Sequence, residues 1–400
     1  MHHSLDSNFA WRMAGVAFAV GFIVFGIVYS FGVFLEPIMA DLGSGRSPTS
    51  ALYAISSSIF YFLGPVTGWI GDRVGPRVIT AGGAIAMATG LAATAFATDL
   101  TMAYVSYGFG VGIGAACTYI PTFAVVGGWF DRWRTRALSF AVAGTGLGML
   151  ALPPLAAILI EHFGWRAAFL ALAAISGVTL AISAVAIRAP PPRPGIAATE
   201  PLGATLRSRA FGQIYVSWVL GTMALFVPLV FLPAFAVSRG ADPIAASWLI
   251  SIIGGASVIG RLGIGYVHSS DGALRLYKAS IFAMAGSYMI WLLSPSYGWL
   301  VLFAAVLGLA YGIRIALVAP VLIQLFGASQ LGALLGSFFT GTGIAGLAGP
   351  LLASLTVDHF GSHSGGIAVA LILGTLGFLA ALPLKVAAAE PFTNSEAERA

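Results

Sequence analysis

Twelve runs of about 20 mostly apolar residues follow one another along this 400-residue chain, separated by short polar loops. A helix rises about 1.5 Å per residue, so a run of this length is what an α-helix needs to cross the hydrocarbon core of a bilayer. The pattern therefore predicts an all-α membrane protein with twelve transmembrane helices. The runs cover residues 13–35, 49–70, 78–98, 102–128, 136–160, 165–187, 212–237, 246–267, 277–294, 298–325, 331–357 and 366–387.

The composition excludes a soluble domain. Only 8% of the residues are charged and 58% are hydrophobic, with a mean hydropathy of +0.94, whereas soluble domains carry about 25% charged residues. The net charge of +5 comes from basic loops beside the spans, so it does not indicate a nucleic-acid partner. Because Cys117 is the single cysteine, no disulfide can form within the chain.

The distribution of Lys and Arg predicts the orientation of the chain. If both termini lie in the cytoplasm, the inner segments hold fourteen basic residues and the outer loops hold three, which are Arg46, Arg166 and Arg239. Positive residues concentrate on the cytoplasmic side of membrane proteins. The bias therefore predicts both termini in the cytoplasm, and we expect a multi-pass protein of a bacterial inner membrane with the lipid bilayer around it.

The two halves of the sequence repeat. Residues 144–164 and 341–361 align without gaps, and 11 of the 21 aligned positions are identical. Six spans separate the copies, so both copies run the same way through the membrane. We therefore expect two six-helix bundles, 1–188 and 211–400, related by a pseudo-two-fold axis along the membrane normal. The Pro-rich segment 189–210 is the predicted cytoplasmic linker between them.

Two arginines interrupt the apolar spans, and no acidic residue lies at their depth. Arg261 lies about 22 Å along its span and Arg314 about 24 Å, at 1.5 Å per residue. A charge in the bilayer core costs roughly 3 kcal/mol on insertion scales, so it normally faces a cavity and an opposite charge. The sequence offers no internal carboxylate, which favours an anionic cargo. Alternatives are snorkelling of Arg261 to the cytoplasmic surface, and packing of Arg314 against helix carbonyls or Tyr311.

Other candidate binding residues lie in the first and fourth spans. Tyr119 has a hydroxyl that could donate to an anion, and Cys117 and Tyr29 are predicted to lie beside it. The alternative for each aromatic residue is ordinary helix packing. The sequence predicts no metal site, no cofactor and no enzymatic activity, because the histidines lie at span ends or in loops and no phosphate-binding loop is present.

One loop motif connects the chain to a known family. The loop between spans two and three reads Gly68-Trp-Ile-Gly-Asp72-Arg73-Val-Gly75-Pro-Arg77. It resembles the G-x-x-x-D-R-x-G-x-R loop of the major facilitator superfamily, and a weaker copy runs from Gly265 to Arg275. The resemblance implies that fold, and it implies a cytoplasmic gating role for Asp72, Arg73 and Arg77. The alternative is that these charges only set the topology.

A second resemblance is to the monocarboxylate porter and oxalate–formate exchanger family. It rests on Gly128-Trp-Phe-Asp131-Arg132-Trp-Arg134-Thr-Arg136 before span five, on Tyr29-Ser-Phe-Gly-Val-Phe34, and on Gly260-Arg261-Leu-Gly263. The resemblance implies that Arg261 binds the substrate, and we add Asp131 and Arg134 to the expected gating group. Some members carry an Asp one helical turn before this arginine for proton coupling. Here that residue is Ser257.

These observations lead to one functional hypothesis and two alternatives. We expect a secondary carrier of mono- or dicarboxylates, active as a monomer, that works by symport with a proton or by exchange with a counter-anion. The second hypothesis is an efflux carrier for hydrophobic drugs or metabolites, although cationic cargo usually needs a membrane-embedded acid. The third is a non-transporting sensor on a carrier fold, since fold does not fix function.

Overall fold

The structure is a computed structural model that describes residues 4–191, 202–264, 272–326, 331–360 and 363–385. Within these ranges the regular structure is helical. The first half contains α1 Asn8–Leu42, α2 Arg46–Val74, α3 Pro76–Ala95, α4 Leu100–Trp129, α5 134–163 and α6 165–186. The second half contains the short α7 Leu202–Arg207, then α8 Arg209–Ser238, α9 Pro243–Ile264, α10 Ala273–Leu292, α11 Tyr297–Phe326, α12 Leu331–Phe360 and α13 His363–Ala381.

The described ranges contain twelve long helices, in agreement with the twelve predicted runs. Ten helices in them are long and apolar enough to cross a membrane. One of these ten, Arg136–Ala186, holds both α5 and α6, because Gly164 interrupts it with a φ of 80°. The remaining long helix is α10, whose first turns carry Arg275 and Lys278. The predicted all-α membrane fold is therefore confirmed, and the helices extend beyond most of the apolar runs.

Local sequence signals define several helix ends. The Ser7 side chain accepts a hydrogen bond from the backbone N–H of Ala10 at 3.3 Å and so caps the start of α1. Gly43 ends α1 with a φ of 59°, and Gly75 separates α2 from α3 with a φ of 87°. Glycine adopts these left-handed conformations at little cost, so both positions allow abrupt reversals between neighbouring helices.

The two halves contact each other through a symmetric set of helix pairs. Helix α2 packs on α12, α5 packs on α9, and α1 packs on α8. Counted within each half and without the short α7, α2 and α9 are the second helices, α12 and α5 are the fifth, and α1 and α8 are the first. A two-fold axis between the halves exchanges the first two pairs, as the sequence repeat predicts. The predicted domain boundaries stay a prediction, and linker residues 192–201 lie outside the described ranges.

Glycines let several of these helices approach closely. A Cβ at Gly148 of α5 would clash with the Phe22 carbonyl of α1, and a Cβ at Gly312 of α11 would clash with the Ser257 carbonyl of α9. Small residues at such crossings allow backbone-to-backbone packing, which drives helix association in lipid. Gly144, in the repeated segment of α5, serves the same close packing, since a Cβ there would clash with the Phe18 carbonyl.

One end of the bundle is rich in basic residues, and we call it the basic end. It holds the Arg73, Arg77, Arg132, Arg136 and Arg188 side chains, whereas Arg46, Arg166 and Arg239 lie at the opposite end. At the opposite end the halves are hydrogen-bonded to each other. The carboxylate of Asp358 in α12 accepts from both the backbone N–H and the hydroxyl of Ser47 in the first turn of α2. An anion at a helix N-terminus is favourable, so this contact closes that end of the bundle.

A glycine substitution tests the α1–α5 contact. We expect Gly148→Ala to cost about 1–3 kcal/mol of stability, because the new methyl group meets backbone rather than a movable side chain. Gly82→Ala is the matched control, since nothing lies within 4 Å of a Cβ there. The measurement is the thermal unfolding midpoint of each purified protein in detergent. Equal midpoints for the two variants would contradict the packing described here.

Candidate functional site

A cavity of about 480 Å³ lies between the two halves in the middle of the bundle. It is lined by α1, α2, α4 and α5 from the first half and by α8, α9, α11 and α12 from the second. It extends toward the basic end, because its lining includes Phe123, six residues before the end of α4, and Leu335, four residues after the start of α12. This structure therefore has the cavity directed toward the basic end, while the opposite end is closed.

Arg261 of α9 reaches across the cavity wall to the other half. Its Nη1 donates to the backbone carbonyl of Val142 at 3.2 Å and to the Thr145 hydroxyl at 3.0 Å, both in α5. Its guanidinium carbon lies 5.6 Å from the Tyr311 ring centroid. Arg261 is therefore held at the cavity and does not extend toward the membrane surface, which argues against the snorkelling alternative.

Arg314 of α11 is one of the most buried large side chains in the described residues, with 1% of its surface exposed. Its Nη2 donates to the Trp218 carbonyl at 2.8 Å and to the Thr222 hydroxyl at 3.3 Å, and its guanidinium lies 4.4 Å from the Trp218 ring centroid. Gly221 makes room for this group, because a Cβ there would lie 3.2 Å from the guanidinium carbon. The expected packing against a helix carbonyl is observed, and Arg314 still lines the cavity.

Both guanidinium groups keep donors that have no protein acceptor. The Nε of each arginine is buried without a hydrogen-bond partner. In the described part of the chain, neither Nη2 of Arg261 nor Nη1 of Arg314 makes a hydrogen bond. Nε and Nη2 lie on the same edge of a guanidinium, so both donors of that edge are unpaired in Arg261, with Nε buried. Nη2 of Arg314 already donates to protein oxygens, so Nε is the one unpaired donor on that edge.

Neither charge is neutralised by a described carboxylate. The ion pairs in the described ranges are Arg46–Glu36 at 2.7 Å and Arg166–Asp41 at 2.6 Å, both at the opposite end. Ser257, one turn before Arg261, is fully buried and donates to the Gly254 carbonyl at 2.8 Å. The part of the cavity lining that the structure describes thus contains two cations and no anion. Buried unpaired donors of this kind require a partner, and a bound anion would supply it.

The structure brings Tyr119 and Tyr29 to the same cavity as the two arginines. Tyr119 packs in a ring cluster, 4.9 Å from Phe25 and 4.2 Å from Phe123 between centroids. Trp218 and Phe338 also line the cavity, and their ring centroids are 5.1 Å apart with the planes tilted by 47°. The two tyrosines and the two arginines therefore share one cavity, in which the aromatic rings provide a broad apolar surface.

Cys117 is placed elsewhere. It is half-buried against α3, where a Cβ at Gly83 would lie 2.8 Å from its own Cβ, and it is absent from the cavity lining. Tyr119 faces the cavity and Cys117 does not, because residues two apart on a helix point in directions about 200° apart. We therefore leave Cys117 out of the candidate binding site.

The expected gating residues cluster at the basic end, in contacts within the first half. Arg77 donates from Nε to the Ile187 carbonyl at 3.2 Å and from Nη2 to the Val185 carbonyl at 2.8 Å, at the end of α6. Arg73 stacks on Trp69 at 3.7 Å. The positive side chain of Arg77 thus meets the negative end of a helix dipole. The side chains of Asp72 and Arg134 lie outside the described part of the structure.

Asp131 occupies the turn before α5. Its backbone N–H donates to the Asp6 carboxylate at 3.3 Å, and the N–H groups of Arg132 and Trp133 donate to the same carboxylate at 3.2 Å each. Asp6 therefore fixes the start of α5 to the start of α1. The gating roles of Asp131 and the other four residues stay predictions, since this arrangement describes one conformation.

Two threonines that we did not single out from the sequence are part of the site. Thr145 holds Arg261, and Thr342 accepts from the Trp218 indole at 3.0 Å. They occupy equivalent positions of the sequence repeat, in the Gly-Thr-Gly triplets that start at residues 144 and 341. The repeated triplet was therefore the signal in the sequence that marked both of them.

Comparisons with known proteins agree with this architecture. The family model of the Major Facilitator Superfamily matches residues 17–271, which is more than half of the chain. Monocarboxylate transporter 3 of Mus musculus is 30% identical over 371 residues, covering 88% of this chain and 75% of that protein. Such relatives are transporters, so the chain is assigned to a family of transporters rather than of enzymes.

Two further relatives cover most of the chain. Monocarboxylate transporter 13 of Bos taurus is 28% identical over 393 residues, covering 94% of this chain and 90% of that protein. The MFS transporter asaE of Aspergillus flavus is 26% identical over 386 residues, covering 92% and 86%. These relatives are eukaryotic, so the bacterial inner membrane stays a prediction of the sequence.

A threonine substitution tests the bridge between Arg261 and α5. We expect Thr145→Val to lower stability by about 1.5–3 kcal/mol, because it removes a hydrogen bond to a buried charged group and keeps the side-chain shape. Thr89→Val is the control, since the Thr89 hydroxyl bonds only to carbonyls of its own helix, the shorter bond being 2.7 Å to Ile85. Thermal unfolding without added anion measures the difference. The same midpoint for both variants would argue against the bridge.

Proposed function

The chain belongs to the major facilitator superfamily, and from this premise we propose that it is a secondary carrier of small carboxylate anions that works by alternating access. One observation carries the proposal. Two guanidinium groups with free donors line a cavity between the halves, and the described part of that cavity has no carboxylate to neutralise them. An anionic cargo supplies the missing charge. The names of the monocarboxylate relatives point the same way.

Arg261 is the proposed primary ligand of the cargo carboxylate. Its free Nε and Nη2 donors match the spacing of two carboxylate oxygens, and Nη1 remains bound to α5. Charge-assisted bidentate pairs of this kind are among the strongest hydrogen bonds in proteins. Arg314 is the proposed second cation, which adds a single bond and positive potential. Tyr119 and Tyr29 are the proposed hydroxyl partners.

The proposed orientation places the basic end in the cytoplasm, with both termini on that side of a bacterial inner membrane. The described state then faces inward. Opening the opposite end would require separation of Asp358 from Ser47 and closure around Asp72, Arg73, Arg77, Asp131 and Arg134, the proposed gate. We propose that one chain is sufficient for transport, because its own two halves form the cavity.

Exchange of anions is the mechanism that the charges favour. An empty cavity holds two positive charges in a low-dielectric setting, so switching without cargo is unfavourable. Loading with an anion removes most of that penalty. Proton symport is the alternative, in which the proton travels with the cargo, since Ser257 replaces the acidic residue that some porters of this type carry.

Efflux of hydrophobic compounds is the second candidate function. It is favoured by the cavity lining, in which ten of the 23 residues are aromatic. The two candidates differ in the sign of charge that the site accepts. Inhibition of transport by organic acids, without inhibition by lipophilic cations, would support the anion carrier. Inhibition by lipophilic cations but not by organic acids would support efflux.

Substitution of the two arginines tests the proposal. We expect Arg261→Ala to reduce uptake of labelled carboxylates into proteoliposomes at least about 30-fold, as loss of a roughly 2 kcal/mol charged interaction requires. Arg261→Lys should restore part of it, since the charge returns without the two-donor edge. Arg314→Ala should reduce the same uptake roughly tenfold. Arg239→Ala is the control, because Arg239 stacks on Phe235 at the opposite end. Normal transport by both alanine variants would exclude the proposed site.

A counterflow experiment tests the exchange mechanism. Proteoliposomes loaded with unlabelled carboxylate should take up labelled carboxylate at least about tenfold faster than empty ones, because the return step then also carries an anion. The measurement compares initial rates at equal pH on both sides. Equal rates would reject exchange, and net uptake driven only by an imposed pH gradient would assign proton symport instead.

A further inference from the structure

We infer that the cargo of this site is a carboxylate with an aromatic ring or an equally bulky apolar body, rather than a two- or three-carbon acid. The inference rests on the proposed function, because it assumes that Arg261 binds a carboxylate. It deepens that function by naming the chemistry of the rest of the cargo. Three features of the cavity support it: the distribution of charge, the nature of the facing wall, and the available volume.

Both cationic side chains of the cavity come from one half of the chain. Arg261 and Arg314 belong to α9 and α11, both in the second half of the chain. The described cavity residues of the first half carry no charged group. Arg261 is also anchored to α5, so a carboxylate bound to it lies beside the uncharged surface of the first half, and that surface decides which bodies are accepted.

The facing surface is an aromatic wall, formed by Phe25, Tyr29, Tyr61, Tyr119 and Phe123. Its rings contact one another, with centroid separations of 5.4 Å between Phe25 and Tyr29 and 4.9 Å between Phe25 and Tyr119. The Tyr119 and Phe123 rings are 4.2 Å apart. The wall is preformed, so a ring inserted against it gains edge or stacked contacts without reordering these side chains.

The lining toward the basic end continues the apolar character. Ile120 and Ala124 of α4 face the cavity from the first half, and Val318 and Leu335 do so from the second. An apolar body therefore meets apolar surface on two sides once its carboxylate is bound. A short hydroxy acid would leave these surfaces in contact with water and gain nothing from them.

The volume agrees with a bulky cargo. A cavity of about 480 Å³ falls in the range of roughly 300–1,000 Å³ that is typical of sites for drug-sized ligands. It could hold on the order of 15 waters at roughly 30 Å³ each. A three-carbon acid such as lactate has six heavy atoms and would fill a minor part of that space, whereas an aryl-substituted acid is larger, fills more of it and displaces more of the water.

Binding to the full-length protein tests the inference. Apparent Kd values are obtained from the concentration dependence of thermal stabilisation, with acetate, lactate, phenylacetate and the neutral phenylacetamide as probes. We expect phenylacetate to bind at least about tenfold more tightly than acetate, because the ring transfers additional apolar area out of water. Phenylacetamide should bind at least about tenfold more weakly than phenylacetate, since it lacks the charge.

A pair of phenylalanine variants separates the aromatic wall from general effects. Phe123→Ala should reduce the phenylacetate-to-acetate preference at least about threefold while changing acetate binding less than about twofold. Phe109→Ala is the matched control on the same helix, since Phe109 is 51% exposed on the outer surface. It should leave the preference unchanged. If Phe123→Ala does not fold, the preference of the unmodified protein decides the question by itself.

The outcomes distinguish the two levels of the proposal. If acetate or lactate binds as tightly as phenylacetate, the inference is overturned and the anion carrier stands. If phenylacetamide or a lipophilic cation stabilises the protein as well as phenylacetate does, the anion carrier itself is overturned. A tenfold preference for phenylacetate that Phe123→Ala diminishes supports both.

Discussion

Unneutralised positive charge in a low-dielectric cavity is the constraint on which the site depends. Each guanidinium is only partly satisfied by the protein. Nη1 of Arg261 binds Val142 and Thr145, and Nη2 of Arg314 binds Trp218 and Thr222, while both Nε atoms remain without an acceptor. This arrangement holds the two side chains in place and still leaves them in need of an anion. The rest of the bundle holds these two groups in a cavity between the two halves.

The fold could be predicted from the sequence because lipid permits few alternatives. Backbone groups in hydrocarbon must be paired within the segment, so apolar runs of about 20 residues become helices. The repeat at 144–164 and 341–361 added the symmetry between halves. The predicted runs 136–160 and 165–187 placed a break between two helices, and the structure locates it at Gly164. The sequence did not show which conformation the structure has, because the same residues form every conformation of the chain.

The two charged residues of the site could be predicted from the sequence, but the uncharged residues around them could be predicted less well. Arg261 and Arg314 were found because a charge in a span is rare and demands an explanation. Cys117 was included by proximity in the sequence to Tyr119, but helix geometry turns it toward Gly83. Phe123 and Ile120 give no signal in an apolar span, since every position there is hydrophobic and only the packing selects the face that meets the cavity.

Both cations belong to helices of the second half, but Arg261 is anchored to α5 of the first half. Under the proposed alternating access, movement of α9 away from α5 has to break the bonds from Nη1 of Arg261 to Val142 and Thr145. The guanidinium then loses these protein acceptors in a low-dielectric setting. A carboxylate on the other edge of the same group would offset part of that loss, so the proposed anion would lower the barrier between conformations as well as fill the site.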